Sequence, residues 1–180
     1  MAVMPVNNLL TRAELDALPD DGLRHELIDG AFVMTPAPGV GHQRMVVALY
    51  RRLFAAAHDP DLDVLIAPLD VVLGDSVVEP DLLVAPRSAF TERDLPGPPL
   101  LAVEVRSATT AWIDEGRKRD LYEEHRVQSY WLVDPAVPAI TVLQLVDGSY
   151  AEVGHAEGDE TIQVDLPFPV ALNPAELAKG

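Results

Sequence analysis

Two apolar runs in this chain each place a carboxylate where a core residue belongs, and any fold must accommodate both. The first is Val78-Glu79-Pro80-Asp81-Leu82-Leu83-Val84. The second is Leu100-Leu101-Ala102-Val103-Glu104-Val105-Arg106-Ser107. An ionised carboxylate buried without a partner or a cation costs on the order of several kcal/mol. Asp81 and Glu104 therefore need compensating charge. Candidates follow at once: Arg106 on the second run, and Lys118 in the charged helix-like stretch Ile113-Asp114-Glu115-Gly116-Arg117-Lys118-Arg119-Asp120-Leu121-Tyr122.

The rest of the chain limits what surrounds this pair. Its 180 residues suit one domain, with a core at about 24–150. At 48% hydrophobic and 23% charged it has a globular composition. No apolar run approaches the ~20 residues of a membrane helix. The start, Met1-Ala2-Val3-Met4-Pro5, has no basic region followed by an apolar core, so a cytoplasmic location is expected. Cysteine is absent, which excludes disulfides and thiolate metal sites. The net charge of −16, from 29 acidic and 13 basic residues, repels nucleic acid at long range. That counts against a metal-free DNA binder. It counts less against an enzyme that reaches phosphates through divalent cations and a local basic patch.

Residues 11–18 read as a short helix, with Thr11 as N-cap and Glu14 at the capping-box position. Residues 24–34 read as a hairpin turning at Asp29-Gly30. A long helix is expected over 42–58, with Met45, Leu49, Leu53 and Ala56 on one face and Arg44, Arg51 and Arg52 on others. Three β-runs follow at 63–67, 69–73 and 77–84, then an irregular exposed connection over 86–99. A strand at 100–105, apolar enough for burial on both faces, leads to a helix capped by Thr109 or Thr110 and ending near His125. A buried strand at 129–134 and a hairpin around Asp147-Gly148 come next. The proline-containing tail reads as a closing strand and a short helix. The order predicts an α/β fold with a mixed sheet and a β-rich C-terminal part.

Two carboxylates on neighbouring strands, one at a distorted position beside a proline, make a hard-oxygen site. Such a site suits Mg²⁺ or Mn²⁺, which combine few protein carboxylates with water and phosphate oxygens. Lys118 lies four residues after Asp114 and four before Tyr122, on one helix face. It takes the water-orienting role. Arg106, two residues after Glu104 and so on the same strand face, stays protonated and is suited to holding a phosphate. The alternative for Glu104 is a structural ion pair with Arg106 or Lys118. His42 at a helix start reads as a packing or capping residue. His25, His58, His125 and His155 have no zinc-site spacing. Neither a phosphate-binding glycine loop nor a serine nucleophile elbow is present.

These residues also carry a family resemblance. Pro80-Asp81 followed by Glu104-Val105-Arg106 resembles the PD-(D/E)xK nuclease superfamily, and the chain is similar to its Uma2 family. The ordered features are Glu26-Leu27-Ile28-Asp29-Gly30, His42-Gln43, Pro80-Asp81-Leu82-Leu83-Val84, Val103-Glu104-Val105 with Ser107, Asp114 with Lys118 and Tyr122, and Tyr130-Trp131-Leu132-Val133-Asp134. The resemblance implies a restriction endonuclease-like fold, a mixed central β-sheet flanked by helices, with a divalent-metal nuclease site. It implies Asp81 and Glu104 as metal ligands, Glu26 as an additional acid near the site, and Lys118 as the family's helix-borne lysine. It allows a homodimer. This sequence departs from the family in three places: Arg106 in the strand position, Ala108-Thr109-Thr110 after Ser107, and His125-Arg126-Val127.

The expected function is a Mg²⁺- or Mn²⁺-dependent endonuclease hydrolysing phosphodiester bonds in nucleic acid, DNA rather than RNA. Catalysis would rest on Asp81, Glu104, Lys118 and Glu26, with Arg106 and Arg117 binding substrate. A basic patch from Arg117, Lys118 and Arg119 with the Arg44, Arg51 and Arg52 helix, or a dimer cleft, would engage DNA. A catalytically inactive nuclease-like binding module is the alternative reading. A metal-dependent hydrolase of small phosphoesters is a third.

Overall fold

The computed structural model describes residues 9–19, 21–107 and 114–180. Helix α1 (Arg12–Asp16) begins with the expected capping box: Thr11 accepts from the Glu14 N–H, and the Glu14 carboxylate accepts from the Thr11 N–H. Strands β1 (Arg24–Ile28) and β2 (Ala31–Thr35) form the first hairpin. Asp29 and Gly30 turn it at φ 52° and 73°, the left-handed pair that a two-residue hairpin loop requires. Helix α2 (Val40–Ala56) starts two residues earlier than its apolar pattern suggests and buries Met45, Val46, Leu49 and Leu53.

The next segment departs from expectation in an informative way. Strands β3 (Leu62–Ile66) and β4 (Asp70–Leu73) form much as read. The run at 77–84 is not one strand but two, β5 (Ser76–Val78) and β6 (Leu82–Pro86). Strand β5 pairs with β1 and β4, whereas β6 pairs with β3 and with β8 (Leu101–Val105). Glu79-Pro80-Asp81 is the crossing between two sheets. Pro80 offers no N–H to a ladder, so the pairing breaks there. The connection over 86–99 is also more ordered than expected. It holds a 3₁₀ turn at Arg87–Ala89 and strand β7 (Asp94–Pro96), parallel to β4, with Leu95 buried.

Beyond β8, the cap positions Thr109 and Thr110 lie outside the described residues. From Asp114 the chain makes a π-helical turn, Asp114–Lys118, and continues as α3 (Arg119–Glu124). Strand β9 (Ser129–Asp134) runs parallel to β8. Strands β10 (Ala139–Val146) and β11 (Ser149–Glu157) form a hairpin through Asp147-Gly148, both at positive φ. The tail supplies two short paired strands rather than one, β12 (Ile162–Val164) and β13 (Val170–Leu172). Helix α4 (Pro174–Lys179), capped by Asn173, ends it.

The strands assemble as a five-stranded sheet, β2-β1-β5-β4-β7, and a six-stranded sheet, β11-β10-β9-β8-β6-β3. One core lies on the face of the larger sheet formed by Leu82, Val84, Leu101, Val103 and Trp131, and α2, the β12–β13 pair and α4 cover it. The opposite face, with Leu83, Ala85, Ala102 and Tyr130, packs on Val71, Leu73 and Val78 of the smaller sheet and on Tyr122. Strand β8 is buried on both faces, as its composition indicates. Among the described residues no helix is long and apolar enough to cross a membrane. Because Leu49 is fully buried on α2, Leu49→Ala is expected to lower unfolding stability by about 2–5 kcal/mol, read as a lower urea midpoint at unchanged slope.

Candidate active site

The site lies where the two sheets and α2 converge. Leu82 pairs with Val103, Leu83 with Ala102 and Val84 with Leu101. One more step of this register would set Asp81 opposite Glu104, and there the ladder stops. Asp81 instead uses its side chain to finish the edge: Oδ2 accepts from the Val105 N–H at 2.9 Å and lies 3.0 Å from His42 Nε2. Its Oδ1 accepts from the Arg24 guanidinium at 3.0 Å. Glu104 shares the parity of Ala102, so its side chain enters the space between the sheets.

Lys118 closes the arrangement from the crossover segment. Its Nζ lies 2.9 Å from Glu26 Oε1 and 3.0 Å from Glu104 Oε1, with Asp114 Oδ1 at 3.9 Å. Glu104 Oε1 also accepts from Tyr122 OH at 3.0 Å. Glu26, on β1, also accepts the Glu79 N–H at 2.7 Å, which fixes the crossing strand segment. Glu26, Asp81, Glu104, Asp114 and Lys118 are all 1–3% exposed. They line a cavity of about 230 Å³, together with Arg24, His42, Ser107 and the loop 36–39.

The electrostatics are those of a site with excess acid. Four carboxylates line the cavity against two permanent cations, Arg24 and Lys118. For Asp81, burial raises the carboxyl pKa, but His42, Arg24 and the Val105 N–H outweigh it and hold the group below its ordinary value. For Glu104 burial dominates. Lys118 opposes it, while Asp114, Asp81 and Glu26 add to it, and the carboxyl is pushed well above its ordinary value. Burial favours neutral Lys118, yet Glu104, Glu26 and Asp114 outweigh that and keep the ammonium charged. Lys118 is thus a charged hydrogen-bond donor to its neighbours, not a poised base.

The sequence expectation brings Glu26, Asp81, Glu104 and Lys118 together, and the structure places all four in one cavity. Arg106 and Arg117 are outside its lining. Arg106 was expected to share the face of Glu104, but it lies beyond the last residue of β8. Its guanidinium pairs with Asp134 at 3.2 Å and with Glu115 at 2.8 Å. Arg117 is exposed. Three cavity residues were not assigned a role from sequence: Arg24, His42 and Asp114. Arg24 is two residues from Glu26 and therefore on the same strand face, a signal that alternation offers. Asp114 is one helical turn before Lys118. His42 reads as a packing or capping residue near a helix start, and only the family resemblance, through His42-Gln43, singles it out.

Among the described residues no three His, Cys, Asp or Glu side chains form a ready cage for a metal ion. Magnesium-type cations need none, since one or two carboxylates with water and substrate oxygens complete their shell. The donor set fits such an ion. Asp81 and Glu104 both line the cavity, and among the described residues Lys118 Nζ and Tyr122 OH both donate to Glu104 Oε1. Burial, with Asp114, Asp81 and Glu26 adding to it, raises the Glu104 pKa, and a divalent cation would offset that neighbouring negative charge.

A mixed sheet backed by helices, with a Pro-Asp bend, a strand glutamate and a lysine converging on a polar cavity, defines a restriction endonuclease-like protein. The chain belongs to the Uma2 family, described as "Putative restriction endonuclease", whose model matches residues 12–178. A solved structure with the same fold is described as a "putative nuclease belonging to DUF820" from Anabaena variabilis ATCC 29413. It is 19% identical, with a TM-score of 0.74 over 94% of this chain and 98% of that one. No curated protein matches the chain.

The depressed Asp81 pKa carries a sign that can be checked. A carboxylate with a lowered folded pKa contributes stability above its unfolded value of 3.8, lost as pH falls through the folded value. Asp81→Asn is therefore expected to cost about 2 kcal/mol near pH 7, with the gap to wild type closing below about pH 4, measured by urea unfolding across that range.

Proposed function

We propose that this protein is a Mg²⁺- or Mn²⁺-dependent endonuclease that hydrolyses phosphodiester bonds in DNA in the cytoplasm. The observation that carries this reading is the placement of Lys118 Nζ against Glu26 and Glu104 in the wall that also holds Asp81. Asp81 and Glu104 would hold the cation. Bound there, it would supply Lewis-acid polarisation of the scissile phosphate and lower the pKa of a water. The protein's own side chains do the positioning. Lys118, kept charged by its acidic neighbours, donates to the attacking water and faces the charge that develops on phosphate oxygens. Glu26 and Tyr122 fix where the Lys118 and Glu104 head groups sit. Arg24 holds Asp81 in orientation from the other side.

The cavity size bears on the substrate. At about 230 Å³ it is smaller than the ~300–1,000 Å³ of pockets that enclose whole small molecules. It has room for one phosphate group with its waters, at roughly 30 Å³ for each water. That favours a polymer lying outside with one phosphate inserted over a small diester swallowed whole. The ion pairs themselves motivate a second reading. Arg24 and Lys118 already compensate Asp81, Glu26 and Glu104, as they would in an inactive binding module.

Calorimetric titration of Mn²⁺ separates the two. The wild type is expected to bind and Glu104→Ala to lose binding, with affinity rising with pH as Glu104 gives up its proton. Lys118→Met, verified as folded by its thermal transition, is expected to retain Mn²⁺ binding but cut DNA at least about 100-fold more slowly. Wild type that neither binds Mn²⁺ nor cuts DNA would leave the ion pairs as structure alone. Light scattering gives the number of copies that act together.

A further inference from the structure

Outside the cavity, the least neutralised part of the surface is the outer face of α2. This helix spans 17 residues, carries Arg44, Arg51 and Arg52, and contains no acidic residue. It does so in a chain with 29 acids and 13 bases. Among the other described arginines, Arg12 pairs with Asp16 and Asp70, Arg24 with Asp81, Arg87 with Asp63, Arg93 with Asp16, and Arg106 with Asp134 and Glu115, while Arg117 and Arg126 border neither the cavity nor the α2 surface. Arg119 lies against Asp120 and Glu123 on its own helix. Lys118 is buried in the cavity. Arg44 and Arg51 carry no ion pair among the described residues. Neither does Lys179 of α4, which borders the same shallow surface. Arg52, at the flank, makes one exposed contact with Glu176 at 3.4 Å.

Position adds to charge. Arg44 and Arg51 are seven residues apart, which sets them about 10 Å apart along one side of the helix at ~1.5 Å per residue. Val47, 38% exposed, lies between them, and Val40, 68% exposed, lies one turn before Arg44 on the same surface as Gln43. Pro38 borders both this surface and the candidate active site, so the basic face runs up to the cavity mouth.

We infer that the Arg44–Arg51 face of α2, extended by Lys179, is the track on which the sugar-phosphate backbone of nucleic acid lies as one of its phosphates enters the cavity. This rests on the nuclease reading of the cavity and adds the surface that the overall charge argues must exist. The chain repels nucleic acid at long range, so productive contact needs a local patch where arginines are free to release counterions from phosphates. Of the patch expected from sequence, Lys118 is buried in the cavity, Arg119 lies against acids of its own helix and Arg117 does not border this surface, which leaves α2 with Lys179 as the proposed track. A second copy of the chain fits this face less well. The commonest dimer symmetry places the same surface patch on both subunits, which would set one row of unpaired arginines against the other.

The test is fluorescence anisotropy with a labelled DNA duplex, over a series of salt concentrations, in a Glu104→Gln background that keeps the duplex intact. Arg44→Ala/Arg51→Ala is compared with Arg87→Ala/Arg93→Ala, which removes two arginines that the protein already pairs. The inference expects the first pair to weaken binding at least about tenfold at low salt, and to flatten the log-affinity against log-salt slope by about 2. The second pair should change neither. If the Glu104→Gln parent binds duplex and the Arg44/Arg51 variant binds equally well, the inference fails while the nuclease reading stands. If neither the parent nor the wild type with Ca²⁺ in place of Mg²⁺ binds duplex at any salt, the nucleic-acid reading fails and this surface with it. If the variant changes only the mass seen by light scattering, the face joins copies of the chain, and the inference is overturned.

Discussion

A single buried ammonium ties this architecture together. Lys118 comes from the crossover between β8 and β9, and it touches a carboxylate from each sheet: Glu26 on β1 and Glu104 on β8. Without it, Glu26, Glu104 and nearby Asp114 would share one low-dielectric space, which like-charge repulsion and desolvation both oppose. With it, the same acids become partners, and the segment that carries Lys118 is pinned over the seam. Tyr122, one turn further on, adds its hydroxyl to Glu104 and its ring to the core between the sheets. The lysine is thus both the counter-ion of the site and the reason the helical crossover sits where it does.

Buried ion pairs are rarely the cheapest way to stabilise a core, since well-packed apolar residues of similar volume often do as well or better. The neighbourhood makes the contrast plain. Leu83, Ala85 and Ala102 occupy the same sheet face and pack without polar atoms. Evolution of a merely stable sheet would have continued that pattern through positions 81 and 104. An acid stands at both positions, with four carboxylates to two permanent cations in the lining, an arrangement that apolar packing alone does not call for.

Much of this was legible in the sequence because burial and charge conflict there so visibly. A glutamate between Val103 and Val105 has few bland explanations, and its helix-borne partner follows from i,i+4 spacing. The capping box at Thr11 and the Asp29-Gly30 and Asp147-Gly148 turns were readable because each rests on local chemistry. The misread elements rest on non-local pairing. Residues 77–84 have the apolarity of one strand, and only the three-dimensional fate of Val78 and Leu82, in different sheets, reveals the break at Pro80. Leu95 is a lone buried apolar residue in a stretch rich in proline and charge, too short a signal for a strand. Arg106 was assigned by strand alternation, but alternation holds only within a strand, and β8 ends one residue before it. His42 reaches Asp81 across 39 positions of sequence, a distance no periodicity can report.

The crossing at Glu79-Pro80-Asp81 has a consequence for how this protein can vary. Catalytic geometry here is not stored within either sheet; it is stored in how the two sheets meet. Glu26 travels with one, Glu104 with the other, and Asp81 belongs to the joint. A substitution far from the cavity that shifts the packing of Val71 or Val78 against Leu83 would alter the spacing of the acids while leaving each strand intact. The spacing of these acids is thus a gauge of sheet-to-sheet alignment, one that can change while the fold stays whole.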